Sequence, residues 1–548
     1  VPLETPARLV RALASQGYNA EREAITLLAR ASDPEAALAR AVETAPADAL
    51  VITAAHVRAV LDAETRAGAP ASPDTSSPPG DTSPDTSSPP GDTSADPPSD
   101  STTDPAVSGD SNPSASTGNT NGEPTASPGD VPVETKGSSF RRQTDPALRS
   151  LEIHGDITGR STGTGEYKDF VAVFRDRYEK LASKLRGRVN HRPTDTLHAM
   201  PGGGDAGLVG MVCDIRSTAN GHWLIELEDT KGTFPCLVMK DNDIAELVGE
   251  LLLDEVIAVD GQLSGDGGII FVDDLYFPDV PRTHRPNTAD RHVRAALISD
   301  VHVGSQEFMA DAWSAFADWL HTEEAEAIEY LLIAGDMVEG IGVYPNQDEE
   351  LDIVDLYDQY AAFSERLKEV PGDMEIVMIP GNHDAVRLAE PQPAFDEELR
   401  NLMSAHDARF TGNPSTVTIE GVNVLMYHGV SLDEVIAELP ADKASYDEPH
   451  KAMYQLLKKR HVAPQYGGHT RVAPEDRDYL VMETVPDIFH TGHVHKLGWG
   501  KYRNVLAVNS GCWQAQTDFQ KSVNIDPDSG FAPVVDLDTL DLKVYQFS

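Results

Sequence analysis

The sequence predicts an α+β protein of several domains, and three observations carry that reading. Its 548 residues exceed the ~250–300 at which a single hydrophobic core stops growing. The pattern changes along the chain, from helical periodicity to a stretch almost without apolar residues and then to closely spaced strands. In the C-terminal half, one apolar strand after another runs straight into residues able to hold a metal.

Bulk composition sets limits. A hydrophobic content of 40% with five Trp is enough to bury real cores, while 44 Lys+Arg against 89 Asp+Glu give a formal charge of −45. The carboxylates are spread over every folded-looking segment, and Arg outnumbers Lys. That is the profile of a cytoplasmic protein from a salt-loving organism, where ionic strength screens the self-repulsion. It does not exclude a polyanionic substrate, because bound metal ions reverse the local sign. Cys213, Cys236 and Cys512 are isolated thiols, which argues against a disulfide framework and a thiolate zinc site. The opening Val1-Pro2-Leu3-Glu4-Thr5 lacks the pattern of a signal peptide. No apolar run approaches the ~20 residues that cross a bilayer, so no membrane partner is expected.

Residues 1–67 are expected to form a small all-helical module. Thr5-Pro6 is an N-cap followed by Pro at the first helical position, and Gly17 stops that helix. Glu21 to Ala31 carries Ile25, Leu27 and Leu28 on one face, and Thr53 caps a helix bearing Val57, Val60 and Leu61. The module is either a simple appendage or a docking unit. Residues 68–144 reduce to Pro, Ser, Thr, Asp and Gly, with an eleven-residue string at Pro73–Ser83 repeated at Pro84–Ser94. Almost nothing there can be buried to offset chain entropy, so a disordered acidic tether is expected.

Residues 145–204 form a connecting segment with a basic amphipathic helix over 166–188. Phe170, Phe174, Tyr178, Leu181 and Leu185 fall on one stripe at helical spacing. Arg175, Arg177, Lys180, Lys184 and Arg186 lie opposite, as a solvated face or as contacts to a phosphate backbone.

Residues 205–283 read as a barrel. Strand-like runs occur at 208–215, 223–227, 233–239, 255–263 and 269–277, with a helix over 242–252 between the third and fourth. Three strands, a helix and two strands is the order of an OB-fold. Apart from Arg216, Lys231 and Lys240 the strands offer few cations, which favours a packing or docking barrel over one that grips nucleic acid.

From residue 290 to 548 the chain becomes rhythmic. Ala295–Ser299 leads into Asp300-Val-His302, Tyr330–Ala334 into Gly335-Asp336, and Glu375–Ile379 into Pro380-Gly-Asn-His-Asp384. Val422–Met426 leads into Tyr427-His428-Gly429, and Pro486–His490 into Thr491-Gly-His-Val-His495. Strand ends that deliver ligands to one sheet edge are how a rigid scaffold places a site. In extended chain, residues i and i+2 point to the same side, so Asp300 with His302, and His493 with His495, can each serve one centre. Glycines before Asp336, Asn382 and His493 permit tight turns. A His, Asp and Asn donor set suits Mn, Fe or Zn better than Mg or Ca. Each piece alone is a common surface pair, turn or core histidine; all five in order make chance a poor account.

This set resembles the calcineurin-like metallophosphoesterase superfamily, which implies a four-layer β-sandwich flanked by helices around a dinuclear metal centre. Carried over residue by residue, Asp300, His302, Asp336 and His495 would hold one metal. Asp336, Asn382, His428 and His493 would hold the second. His383 would act as general acid, Asp384 would either orient its imidazole or cap a turn or helix, and Glu339 would hydrogen-bond behind the ligands. The resemblance narrows further. Ser299–Ser305, Pro380–Arg387, Ala389–Pro393, Tyr466-Gly-Gly-His469, Ala473-Pro-Glu475 and Asp487–His495 are similar to the small-subunit family of archaeal family D DNA polymerases. So is the layout of helical module, linker, barrel and phosphoesterase. That similarity implies a Mn²⁺-favouring 3′–5′ exonuclease that proofreads DNA 3′ ends for a large catalytic subunit. Arg387, His469, Arg471 and Lys496 lie beside the motifs as candidate phosphate contacts. The C-terminal run 534–547 and the barrel are candidate faces for the large subunit. The competing readings are a non-catalytic scaffold subunit of the polymerase and a free-standing metallophosphodiesterase acting on small substrates.

Overall fold

The structure, a computed structural model, describes residues 142–548 without 163–164, 345–346 and 523–524. It also describes residues 19–20, 24, 27–28, 31, 34–44, 51–54 and 56–60. The helix expected from Thr5 and nearly all of the expected tether lie outside these residues. In the N-terminal unit, the helix Pro34–Thr44 buries Ala37, Leu38 and Ala41. Thr53 Oγ1 accepts the N–H of His56, as its capping role requires. The all-helical reading needs one correction. Asn19–Ala20 pairs in parallel with Val51–Ile52, a β-branched step that suits a ladder.

The second unit holds the rest. Its first described residue is already packed: the Arg142 side chain is 6% exposed and pairs with Asp373 at 3.0 Å. It also donates to the carbonyl oxygens of Leu320 and Ala325. The tether expected to run to Thr144 therefore ends sooner, because a guanidinium with this many acceptors fixes the backbone that carries it.

The barrel closes from five strands, Asp205–Ser217, Trp223–Asp229, Gly232–Val238, Val256–Leu263 and Ile270–Tyr276. The first pairs with the second and fourth, the third with the second and fifth, and the fourth with the fifth. The intervening helix is only Ala245–Val248, shorter than the run 242–252 suggested. Alternate residues such as Leu208, Ile225, Leu227, Phe234, Ile257 and Val272 fill the interior.

The helix Tyr167–Leu185 packs Tyr178, Leu181 and Leu185 against Val209, Val256 and Ala258 of the barrel wall. Its basic face is not simply solvated. Arg177 is fully buried and pairs with Asp478 at 2.6 Å. Lys180 and Lys184 donate to the backbone oxygens of Asp478 and Glu483. Three of the five cations thus fasten this helix to the 478–483 segment.

Two six-stranded sheets form the remaining body. One runs Arg409–Phe410, Glu375–Ile379, Ile328–Ala334, Arg294–Ile298, Phe531–Asp536 and Asp541–Gln546 in hydrogen-bonded order. The other runs Leu497–Tyr502, Val505–Ser510, Ile488–Thr491, Val422–Met426, Ser415–Ile419 and Leu151–His154. The last strand comes from the connecting segment and pairs antiparallel with Ser415–Ile419. Side-chain alternation sorts the cores. Leu297, Leu332, Val377, Val424, Ile488 and Val508 meet between the sheets. Ile298, Leu331 and Met378 face the helices Ala310–Leu320 and Leu356–Leu367 on one outer side. Leu425, Phe489 and Ala507 face Ser431–Glu438 and Pro449–Lys459 on the other. Helix, sheet, sheet and helix follow one another as layers.

Within the first sheet, Arg294–Ile298, Ile328–Ala334 and Glu375–Ile379 are parallel. In the second, Val422–Met426 and Ile488–Thr491 are parallel. Each set therefore ends at one edge of its sheet, where the metal-capable residues follow. The C-terminal run forms a hairpin on the first sheet's edge. Among the described residues no helix is long and apolar enough to cross a membrane.

Candidate metal centre

The donors meet where the two sheets deliver their strand ends. Ligand atoms of Asp300, His302 and His495 lie within 4.8 Å of one another, as do those of Asp300, Asp336 and His428. His302 Nε2 and His495 Nε2 are 3.0 Å apart. His428 Nε2 stands 3.1 Å from Asp336 Oδ2 and 2.9 Å from Asn382 Oδ1. His493 belongs to neither three-residue group; its ring meets that of His428 edge-on, centroids 5.2 Å apart.

The backbone explains this convergence, and not as strand alternation would have it. Asp300, His302, Asp336, His493 and His495 all have positive φ, between 53° and 71°. Left-handed conformations in residues with a Cβ are uncommon and cost of order 1–3 kcal/mol each, which gathers them at functional sites. Asp300 and His302 therefore converge through two left-handed residues rather than through extended chain. Gly381 and Gly492 make the close approach possible. A Cβ on Gly381 would lie 2.1 Å from Asp336 Oδ1, and one on Gly492 would lie 2.2 Å from Asp300 Oδ2.

Hydrogen bonds behind the donors select the ring atom that faces inward. His302 Nδ1 donates to Glu339 Oε2 at 2.8 Å, and His428 Nδ1 donates to the Ala334 carbonyl at 2.8 Å, so each leaves Nε2 as ligand. His493 Nε2 donates to Asp433 Oδ2 at 3.1 Å, which leaves Nδ1. The Gln520 amide contacts His495 Nδ1 at 2.9 Å. Glu339, expected behind the ligands, also accepts from Gln514, Gln347 and the Tyr344 hydroxyl. Asp433, Gln514 and Gln520 carry no sequence signal, since each lies far along the chain from its partner and in no recognisable spacing.

Burial would push the Asp336 carboxyl up, but the His428, His383 and His302 imidazoles hold it well below the usual range. Burial disfavours charge on His428, yet Asp336 and Asp300 push its imidazole up to about 10. Burial opposes the Glu339 charge too, and His302, His383 and Gln347 hold it at about 2. Among the described residues, no lysine or arginine pairs with Asp300, Asp336 or Glu339. The His428 imidazolium answers part of this buried charge, and the donor set is one that a divalent cation fits.

His383 sits at the mouth with its side chain 16% exposed. Its Nδ1 donates to the Glu339 carbonyl at 2.7 Å, and its backbone N–H donates to Asp336 Oδ1 at 2.8 Å. Nε2 has no hydrogen-bond partner among the described residues. Asp384 does not orient this ring. Its carboxylate accepts from the backbone N–H groups of Asp336 and Gly381 and from the Tyr360 hydroxyl, so it ties three segments together instead. Arg387 is likewise committed. It pairs with the buried Glu475 at 2.6 Å and donates to Ser161 and to the Ala389 and Pro391 carbonyls, because the turn after the motif folds back over its guanidinium. Lys496 lies 3.7 Å from Asp528.

A family model for the B subunits of DNA polymerases alpha and epsilon matches residues 295–496. A DNA polymerase II small subunit from Halobacterium salinarum is 63% identical over 548 residues, 100% of each chain. The DNA polymerase II small subunit of Archaeoglobus fulgidus is 46% identical over 389 residues, 70% of this chain and 78% of its own. That of Methanocaldococcus jannaschii is 39% identical over 400 residues, 71% of this chain and 67% of its own. Among solved structures, an archaeal phosphodiesterase aligns with 46% of this chain and 99% of its own at 12% identity, with a TM-score of 0.25.

Proposed function

The chain belongs to the archaeal DNA polymerase II small-subunit family, and from that premise we propose that its cleft removes nucleotides from DNA 3′ ends. The observation that carries this reading is the convergence of buried His and Asp donors with no lysine or arginine to balance them among the described residues. Membership in a small-subunit family implies a partner catalytic subunit. It also leaves little ground for a free-standing enzyme on small substrates. The relatives from Halobacterium agree with the salt-adapted composition, and a cytoplasmic setting follows from the role in replication.

In this reading Asp300, His302, Asp336 and His495 hold one divalent ion, while Asp336, Asn382, His428 and His493 hold a second. Mn²⁺ is the expected metal, and Fe or Zn would fit the same donors. Such ions, when bound, supply Lewis acidity to phosphoryl oxygens and make water a nucleophile near neutral pH. The chain's own residues do the rest. Glu339 and the Ala334 carbonyl fix the tautomers of His302 and His428. The Glu339 carbonyl holds His383 Nδ1, so Nε2 is the atom placed to give a proton to the leaving 3′ oxygen. Asp384 positions Asp336 and the Gly381 turn rather than moving a proton.

The closed barrel has the strand order of an OB-fold, and its contacts favour packing over DNA binding. Lys458 pairs with Glu250 at 2.7 Å, and Lys459 donates to the Glu250 carbonyl at 2.7 Å. Thus Glu250, in the segment between the third and fourth barrel strands, is engaged with the helix Pro449–Lys459. The decisive assay follows mononucleotide release from 3′-labelled single-stranded DNA, with the chain co-purified with its large subunit, in Mn²⁺ and high salt. Release that His383→Ala lowers by about 10²-fold or more is the expected result. No release, with the variant indistinguishable from wild type, would leave the scaffold reading in its place.

A further inference from the structure

A cavity of about 540 Å³ is lined by Gln306, Glu307, Glu349, Glu350, Asp518 and Phe519, and Tyr344 and Glu339 connect its wall to the candidate metal ligands. Its volume falls within the roughly 300–1,000 Å³ range of small-molecule sites. Two hydrogen-bonded links tie its walls to the donors. The Tyr344 hydroxyl lies 3.2 Å from Glu350 and 3.1 Å from Glu339, which holds His302. Phe519 precedes Gln520, which contacts His495. Phe519 stacks on Tyr344 with centroids 4.8 Å apart and planes 21° from parallel. Tyr344 in turn lies 6.5 Å from the His383 ring. Phe519 stays 41% exposed, so a large aromatic face remains open at a site otherwise rich in carboxylates.

We propose that this cavity receives the unstacked 3′-terminal base of the DNA, laid against Phe519 while the scissile phosphodiester faces the metal centre. The inference rests on the proposed nuclease activity and names the feature of the substrate that activity leaves open. The lining argues for a base over a phosphate. Asp518 pairs with Lys521 at 2.8 Å, whereas Glu307, Glu349 and Glu350 repel anions and accept hydrogen bonds from the exocyclic amino groups of adenine, cytosine and guanine. The Gln306 amide N–H groups already donate to the Glu349 and Leu351 carbonyls, which leaves its side-chain oxygen as a further acceptor for an amino group. An aromatic face accepts any base, which suits an enzyme that must remove whichever nucleotide is last. A paired terminus stays stacked in its duplex, so the cavity selects frayed ends.

The test compares kcat/KM of the complex on single-stranded DNA ending in a normal nucleotide with that on DNA ending in an abasic one. Wild type is expected to prefer the base-bearing end by about fivefold or more, as a single base–aromatic stack allows. Phe519→Ala should collapse the ratio toward one through KM, while Phe519→Tyr keeps it. Equal rates on both ends in wild type would overturn the base cavity and leave the nuclease intact. Hydrolysis of neither end, nor of bis(p-nitrophenyl) phosphate, would overturn both readings. An unchanged ratio in Phe519→Ala with weakened retention of the large subunit would assign the aromatic face to the protein partner instead.

Discussion

The Asp384 carboxylate accepts the backbone N–H of Asp336 at 2.9 Å, across 48 positions of chain. The same oxygen takes the Gly381 N–H at 2.9 Å, and the other takes the Tyr360 hydroxyl at 3.0 Å. One buried side chain therefore sets the residue proposed to join both metals. Asp384→Ala strands two buried N–H groups, at about 1–3 kcal/mol each. We expect a lower Tm and at least a tenfold loss of nuclease activity, with Asp384→Asn between the variant and wild type because its carbonyl still accepts. Wild-type metal content and kcat in Asp384→Ala would contradict this.

Asp336 and Glu339 should separate cleanly. Asp336 faces His428, and its carboxylate also accepts the His383 backbone N–H. Glu339 meets the centre only through His302, Tyr344 and neighbouring amides. Asp336→Ala is expected to lose both metals and all measurable activity. Glu339→Ala should lose about 10–100-fold, the usual effect of removing a ligand's partner. Metal analysis of the dialysed variants, with activity before and after Mn²⁺ is restored, checks both. Equal and mild losses would refute the shared-ligand assignment.

The contrast shows what the sequence could carry. Strand ends such as 330–334 and 375–379 were legible because an apolar run followed by Gly-Asp or Gly-Asn-His-Asp is a local signal. The left-handed backbone of Asp300 and His302 was not, since φ is set by how the two sheets meet. Arg177 looked like part of a solvated basic face and is buried, because its partner Asp478 lies 301 residues away. Arg387 looked free for a phosphate for the same reason, its partner Glu475 being 88 residues on. Local pattern identifies donors; long-range pairing decides which charges remain available.

Gly381→Ala tests the close approach. Its Cβ would stand 2.1 Å from Asp336 Oδ1 and 2.6 Å from the Asp336 nitrogen, and neither atom can retreat without disturbing the metal-capable cluster. Overpacking of this kind costs roughly 1–3 kcal/mol, and here the displaced atoms are the donors themselves. The expected outcome is a folded chain with depressed Tm, lowered Mn²⁺ retention and little nuclease activity. Normal Mn²⁺ retention would show that the turn can shift aside.

The buried pair Arg177–Asp478 should dominate the response of stability to acid. Asp478 also accepts from His461 Nε2 at 3.0 Å, and all three side chains are at most 2% exposed. Burial and the Arg177 charge lower His461 to about 4. Its unfolded value is about 6.5, so the unfolded chain binds the proton first and stability falls as pH drops from about 6.5 to about 4. That interval is worth about 3 kcal/mol for a fully buried ring. Burial works against charge on Asp478, but Arg177 and His461 hold it well below the usual range. Its contribution is complete above about pH 4 and is lost as pH falls further. Urea unfolding in concentrated KCl, which screens the −45 charge, should show both phases. His461→Gln should remove the first phase. Asp478→Asn leaves the Arg177 charge buried without its partner and should cost about 3–5 kcal/mol at neutral pH. A flat profile from pH 7 to 4 in wild type would show that this triad does not control the acid response.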